Sequence, residues 1–395
     1  MSLLSAYNQK KKTVPELLSL LQDGDYILSA QALAEPVILL EQFPLLHQWG
    51  RKNLVFNSCM PVRDLGWYHD PAMRETLEHV CWFFSPPARK AHQEGLCSFL
   101  PGYSTNLVRK TFQQLRSQGR RPVLLATASP MDAEGNFSLS ISALFEREII
   151  DNGALVLLEV SSRYPRTHGD TTLPLSAVTA FVETDRPVPE MPKTTLRPVD
   201  EAIGTRIAEL IPDGSTLQLG VGNIPDAVAI RLKDRRHLGI HSGMFSESLM
   251  ELIRCGAVDN SRKGFHPGET VTAFAAGSEE LYRFLHENRD ILIKGGYYTN
   301  APAVIAQNRN MVSLNTALEI DLTGQCAAES MGFTQWSATG AQTETVEGAQ
   351  LSPGGKSILA LPSCYTARGR DGEKILRSKI VLSFRPGTIV STSRN

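Results

Sequence analysis

The sequence predicts an α/β protein made of two similar open domains, and three observations predict it. Short β-branched runs alternate with longer periodic segments up to about residue 160, a proline-rich stretch then interrupts the pattern, and the same alternation resumes beyond it. A length of 395 residues suits two domains, at roughly 150 residues each.

The strand-like runs of the first part are DYILSA from Asp25, NLVFNS from Asn53, RPVLLATAS from Arg121 and ALVLLEV from Ala154. Between them lie segments with helical spacing, VPELLSLLQ from Val14 and STNLVRKTFQQLRSQ from Ser104. Apolar runs too short for helices, separated by helical patterns, imply βαβ units and a largely parallel sheet. From Glu183 to Asp200 the chain reads ETDRPVPEMPKTTLRPVD, whose four prolines cannot sit in a helix interior or a central strand. This marks a linker over 186–200 between an N-terminal domain at 1–185 and a C-terminal domain at 201–395.

In the second domain, PVDEAIGTRIAELIPDG is expected to be a helix closed by Gly214, STLQLG a buried strand and IPDAVAIRLKD the next helix, starting at Pro225. Three further strands are expected in MVSLNTALEIDLTGQ, KSILALPSC and KIVLSF. The glycine-rich WSATGAQTETVEGA and the charged ARGRDGEK read as the connections between them, long enough to cover a site.

Forty basic and 41 acidic residues, interspersed, leave a net charge of −1, which gives no reason to expect a nucleic acid or membrane partner. The six cysteines (Cys59, Cys81, Cys97, Cys255, Cys326 and Cys364) form no CxxC pair and no metal-spaced cluster with histidine. They read as free thiols of a reducing compartment, and no metal is expected. At the N-terminus the basic residues follow the apolar patch, the wrong order for a signal peptide, and no apolar run approaches 18 residues. The expectation is a soluble cytoplasmic protein.

Chemistry concentrates in STLQLGVGNIPDAVAIRL, where an apolar strand enters a turn containing Gly220 and Gly222 and leaves it as a helix. Such a turn presents backbone N–H groups at a helix N-terminus, suited to phosphate or an oxyanion. A dinucleotide fingerprint would need glycine where Pro225 stands and a place near the start of the chain. A purely structural strand-to-helix turn and an acyl- or CoA-binding loop remain as the other readings.

Eight ordered segments carry a resemblance: AEP at Ala34, FFSPPAR at Phe83, DGSTLQLGVGNIPDAV at Asp213, HLGIHSGMFSESL at His237, HPGETVTAF at His266, ALEIDLTGQ at Ala317, SATGAQ at Ser337 and GGKSILALPS at Gly354. Together the chain resembles the 4-hydroxybutyrate CoA-transferase and acetyl-CoA hydrolase/transferase family of class I coenzyme A transferases. The resemblance implies two similar open α/β domains of the class I CoA-transferase type, with the CoA site between them, in a homodimer or higher homo-oligomer. It also implies CoA transfer between short-chain carboxylic acids: 4-hydroxybutyrate, butyrate, acetate or a small dicarboxylate. In that chemistry a glutamate attacks the thioester, forms an acyl-glutamyl anhydride and is recaptured by CoA as a glutamyl thioester, with no metal or cofactor beyond CoA. Carried onto this chain, the oxyanion role falls on Gln218 and Gly220. Contacts to CoA fall on Gly220, Val221, Gly222, Asn223 and Ile224, with Gly340 of SATGAQ and Lys356 of GGKS; for Lys356 a solvated turn lysine is the competing reading.

One position departs from the family. Its glutamate belongs to an HSE or HTE sequence, and the matching residues here are His241, Ser242 and Gly243. Four explanations stand side by side. Gly243 is a replacement in an otherwise normal enzyme; Glu247, one turn on if FSESLMELIRCG is helical from there to Gly256, serves as nucleophile; the site has moved to other acyl chemistry such as thioester hydrolysis; or the chain binds acyl-CoA without turnover.

The remaining candidates read as structural. His241 packs behind the turn, with a general base as the alternative, Glu35 and Glu319 pair with buried donors, with a place for Glu35 in the acyl pocket as the alternative, no histidine or helix-start signal accompanies Cys59, and Cys97 follows EGL in a loop-like stretch. His237 and His266 read as surface histidines. Relatives continue past GTIVSTSRN, so the C-terminus is expected to be short.

Overall fold

The computed structural model describes residues 2–192, 195–369 and 371–393. The protein is mixed α/β with parallel sheets. Its chain divides into two compact units, Met1–Met191 with Thr272–Tyr298, and Pro192–Val271 with Thr299–Asn395. Residues 272–298, which the sequence division left in the second domain, thus belong to the first unit. Within the 186–200 linker, Lys193 and Thr194 lie outside the described residues, and 198–200 already form the first turn of a helix.

In the first unit the strands Ala180–Thr184, Leu155–Ser161, Pro122–Ala128, Tyr26–Ser29, Leu54–Ser58, Leu77–Cys81 and Ser98–Phe99 lie side by side in that order, all parallel. The strand-like runs of the sequence form its centre because a parallel sheet is covered on both faces: Ile27, Phe56, Leu124 and Leu157 are fully buried, and their neighbours along each strand are buried. The helix Leu107–Gln118 buries Leu107, Val108, Thr111, Phe112 and Leu115 at helical spacing and closes on Gly119 in the left-handed conformation (φ 64°).

In the second unit four parallel strands lie in the order Lys356–Ala360, Met311–Thr316, Thr216–Leu219, Gly239–Phe245. The chain leaves Thr216–Leu219 for the neighbour on one side and later returns to the other side. Strand order therefore reverses at the carboxyl end of Thr216–Leu219, where open α/β sheets bind their ligands.

Several local expectations change. The helix Pro198–Glu209 stops before Gly214, whose positive φ (74°) serves the turn into the next strand instead. Helix Asn223–Arg231 starts two residues ahead of Pro225, which is tolerated there because the N–H it lacks is among the four a first turn leaves unbonded. WSATGAQTETVEGA is a connection only in part: Gln342–Leu351 is a helix burying Gln342, Thr345, Val346 and Ala349. Its Gly348 is required because a Cβ there would lie 2.6 Å from the Ile305 side chain. ARGRDGEK spans a hairpin that pairs Cys364–Arg368 with Lys374–Ser378, Arg370 lying outside the described residues.

All six cysteines are free; Cys255 is exposed, Cys364 half-buried and the other four buried. A thiol reagent is expected to label Cys255 and then Cys364 in the native protein and Cys59, Cys81, Cys97 and Cys326 only after denaturation. Peptide mapping of the labelled protein checks this, and fast native labelling of any of the four contradicts the packing.

Candidate functional site

The turn Gly220–Gly222 stands at the reversal of strand order in the second unit. Gly222 adopts φ 122°, a conformation side chains rarely take, and precedes Asn223–Arg231 as its N-cap without a side-chain cap. Val221 is exposed and Ile224, in the first turn of the helix, is buried. With no side-chain cap on this first turn, its orphan N–H groups and the positive end of the helix dipole lie at the glycine turn.

Two of the assigned donors are already engaged. The N–H of Gly220 donates to Leu314 O (2.9 Å), continuing the sheet. The Asn223 amide donates to Thr195 O (3.1 Å) and to Asp200 Oδ2 (2.9 Å). Asp200, fully buried, also accepts from Arg197 N, Nε and Nη2 at 2.7–3.0 Å. The Arg197 guanidinium and these hydrogen bonds hold its carboxyl far below the usual carboxylate range. This carboxylate ties the start of one helix to the start of the other and so sets the turn. Close packing of the two helices also needs Gly204, since a Cβ there would lie 2.8 Å from the backbone of Ala227.

Gln218 is buried and accepts from Ser313 Oγ at 2.7 Å. Ser313 in turn accepts from Asn315 Nδ2 (2.9 Å), which also donates to Thr345 Oγ1 (3.2 Å). These four side chains link the strand that ends at Gly220 to the helix that follows Gly340, itself left-handed at φ 56°. Ser313, Asn315, Thr345 and Asp200 went unassigned in the sequence because none lies in a chemistry-bearing motif; Asp200 alone had a cue, standing at the third helical position after a proline start.

Gly243 occupies the strand Gly239–Phe245, not a turn, and Glu247 opens the separate helix Glu247–Arg254. The geometry that made Glu247 one helical turn distant therefore does not exist. Backbone conformation at Gly243 is open to any residue, and a Cβ there would come within 3.0 Å of Asn300 Oδ1. Two residues earlier on the same face of the strand, His241 is 1 % exposed and donates from Nε2 to Thr299 O at 2.8 Å. Burial, with Lys263 nearby, pulls its pKa down to about 3, so the ring is neutral.

Lys356 begins its strand level with Val312, itself level with Leu217, and its ammonium donates to Leu210 O (2.7 Å) at the end of helix Pro198–Glu209. It lies about 10 Å along the strands from the level of Gly220, which favours the structural reading. Glu319 is buried with Arg385 3.5 Å away, and His237 is exposed and bonded to Asp259 (2.8 Å). His266, less open than a surface histidine, pairs with Glu269 (2.8 Å) and lies edge-on to Phe265. In the first unit, Glu35 is 2 % exposed and accepts from Val62 N (3.4 Å), with burial pushing its pKa up; Cys59 and Cys97 are both buried. Among the described residues no three His, Cys, Asp or Glu side chains gather to hold a metal ion, and no helix is long and apolar enough to cross a membrane.

Beside His241, Lys263 is 6 % exposed and donates to Ile240 O (2.9 Å) and Glu269 O (2.6 Å). Burial lowers its pKa to about 7. Its folded value lies below the unfolded one, so between about pH 7 and 10.4 the unfolded chain binds the extra proton and this group's contribution to stability rises with pH. Urea midpoints compared between pH 7 and 9.5 should show that rise in the natural chain relative to Lys263→Met; parallel curves would contradict it.

Comparison with known proteins gives a consistent result. Residues 2–192 match the acetyl-CoA hydrolase/transferase N-terminal domain and residues 277–395 the C-terminal domain of the same name. The succinyl-CoA:cyclohexane-1-carboxylate CoA transferase of Geobacter metallireducens is 35% identical over 392 residues, 98% of this chain and 86% of that protein. The 4-hydroxybutyrate coenzyme A transferase of Clostridium kluyveri is 34% identical, over 98% of this chain and 88% of that one. The crystal structure of RipA from Yersinia pestis superposes with a TM-score of 0.88 at 32% identity, covering 100% of this chain and 89% of that one.

Proposed function

Because the chain belongs to the acetyl-CoA hydrolase/transferase family, we propose that it binds an acyl-CoA at the Gly220–Ile224 turn and moves CoA between a short-chain acyl-CoA and a carboxylic acid. What carries this reading is full-length similarity to CoA transferases, 35% and 34% over 98% of the chain, together with a glycine turn and uncapped helix start at the reversal of strand order. The relatives' names favour a small acid such as succinate or 4-hydroxybutyrate; butyrate and acetate belong to the same class. Orphan N–H groups of the first helical turn suit an anionic part of CoA, and no resident cofactor is needed. The resemblance further carries a cytoplasmic homo-oligomer.

Gly243 favours a second reading, thioester hydrolysis or binding without turnover, because a glycine offers no carboxylate for the covalent step. One experiment on the natural chain separates the two. Butyryl-CoA is supplied with and without acetate, while acetyl-CoA, free CoA and equilibrium binding are followed. Acetate-dependent acetyl-CoA supports transfer; release of CoA without acetate supports hydrolysis; saturable binding alone supports a non-catalytic binder. No binding of butyryl-CoA or CoA overturns the assignment.

A further inference from the structure

A buried segment faces position 243. Thr299 and Asn300 are 1 % and 2 % exposed, and the Asn300 carboxamide stands where a side chain on residue 243 would begin, its Oδ1 3.0 Å from that Cβ position. The Thr299 carbonyl next to it accepts the Nε2–H of His241 at 2.8 Å. His241 and Gly243 share one face of their strand, so the imidazole bridges the strand that carries position 243 and the backbone that carries Asn300.

We propose that His241 is a positioning residue for the residue-243 site, its ring N–H fixing the Thr299 carbonyl and with it the Asn300 carboxamide beside residue 243. The proposal rests on the reading that acyl-CoA is handled at this position. A neutral ring suits the task. With Nε2 protonated and bonded to a carbonyl, the imidazole keeps one tautomer; the basic side chains that face it, Lys263 and His266, both disfavour a second proton. Its other nitrogen, Nδ1, is buried and finds no hydrogen-bond partner among the described residues, so the orientation of the ring depends on the Thr299 bond. An error of 1 Å in the placement of a reacting group costs about 100-fold in rate, which makes a fixed backbone at residue 299 valuable.

The test uses two variants that differ in the donor, each made in the natural chain and in Gly243→Glu. His241→Gln keeps an N–H able to reach a carbonyl; His241→Leu keeps bulk and removes the donor. In the Gly243→Glu background, covalent CoA adduct formation from butyryl-CoA is timed by intact-protein mass spectrometry, with CoA affinity measured alongside. The expected result is a rate about 100-fold lower for His241→Leu at unchanged CoA affinity, largely rescued in His241→Gln. In the natural chain, amide exchange over residues 299–305 should accelerate in His241→Leu and much less in His241→Gln, and the imidazole nitrogen shifts should hold the neutral Nε2–H form from pH 5 to 9. An unchanged adduct rate in His241→Leu, or equal losses in both variants, overturns the proposal. If neither Gly243→Glu nor Gly243→Glu/Asn300→Ser forms an adduct, the transfer reading falls, while the exchange measurement still decides whether His241 holds this segment.

Discussion

Replacement of Gly243 by glutamate is expected to raise CoA transfer by about 10⁴- to 10⁶-fold over the natural chain, the factor that removal of a covalent nucleophile costs. The strand Gly239–Phe245 accepts a side chain at this position without backbone strain, and the obstacle is the Asn300 carboxamide, 3.0 Å from the new Cβ. A terminal amide that must yield only a few tenths of an ångström is a modest obstacle, although Asn300 is 2 % exposed and has little room to move. Gly243→Glu/Asn300→Ser, which relieves this contact but removes the carboxamide beside residue 243, is therefore expected to be at least as stable as the single variant while forming the adduct more slowly. The measurement is turnover of butyryl-CoA with acetate, together with intact mass. An adduct on the natural chain would show that another carboxylate has taken the role, and Glu247 would regain interest despite opening a separate helix. Absence of both adduct and turnover in Gly243→Glu and in the double variant would mean that more than one group has been lost.

Asp200→Ala is expected to lower stability by about 2–4 kcal/mol and to weaken CoA binding at least tenfold. Four hydrogen bonds end on this buried carboxylate, three from Arg197 and one from Asn223, and those to charged groups contribute about 1.5–3 kcal/mol each at most. Loss of the carboxylate unties the first residue of helix Asn223–Arg231 from the preceding helix and loosens Gly220–Gly222. Arg197→Ala should cost less, because its side chain is 60% exposed. The sign with pH follows from the depressed pKa of Asp200. Its contribution is complete above the unfolded carboxylate value of about 3.9 and disappears as pH falls from there toward the lower folded value. Acid titration of the urea midpoint should accordingly be shallower in Asp200→Ala below about pH 4. Equal slopes, or unchanged CoA affinity, would show that Asp200 does not hold the turn.

Strands of the first unit were readable because a strand buried on both faces is an uninterrupted apolar run, a purely local property, as in Val123 to Leu125 or Val156 to Leu158. Helix Leu107–Gln118 was readable for its spacing and its closing glycine. Where reading by residue type failed, a distant neighbour was responsible. Gly348 suggested a loop, yet it lies inside a helix because Ile305 occupies the place of its side chain. Lys356 follows a glycine pair that resembles a ligand loop, and only the tertiary structure shows it opening a strand with its ammonium at the Leu210 carbonyl.

The sequence by itself determined the α/β class, the family and the absence of a carboxylate at position 243, since ordered motifs and residue identities need no coordinates. Tertiary structure decided that Gly243 lies in a strand facing Asn300, that the Gly220 N–H and the Asn223 amide are committed to the scaffold, and that Asp200 and His241 bond across to Asn223 and Thr299. Those facts depend on which residues meet across strands and helices far apart in the chain, and a hydrogen bond between Asn223 and Asp200 or between His241 and Thr299 leaves no periodic trace in either local sequence.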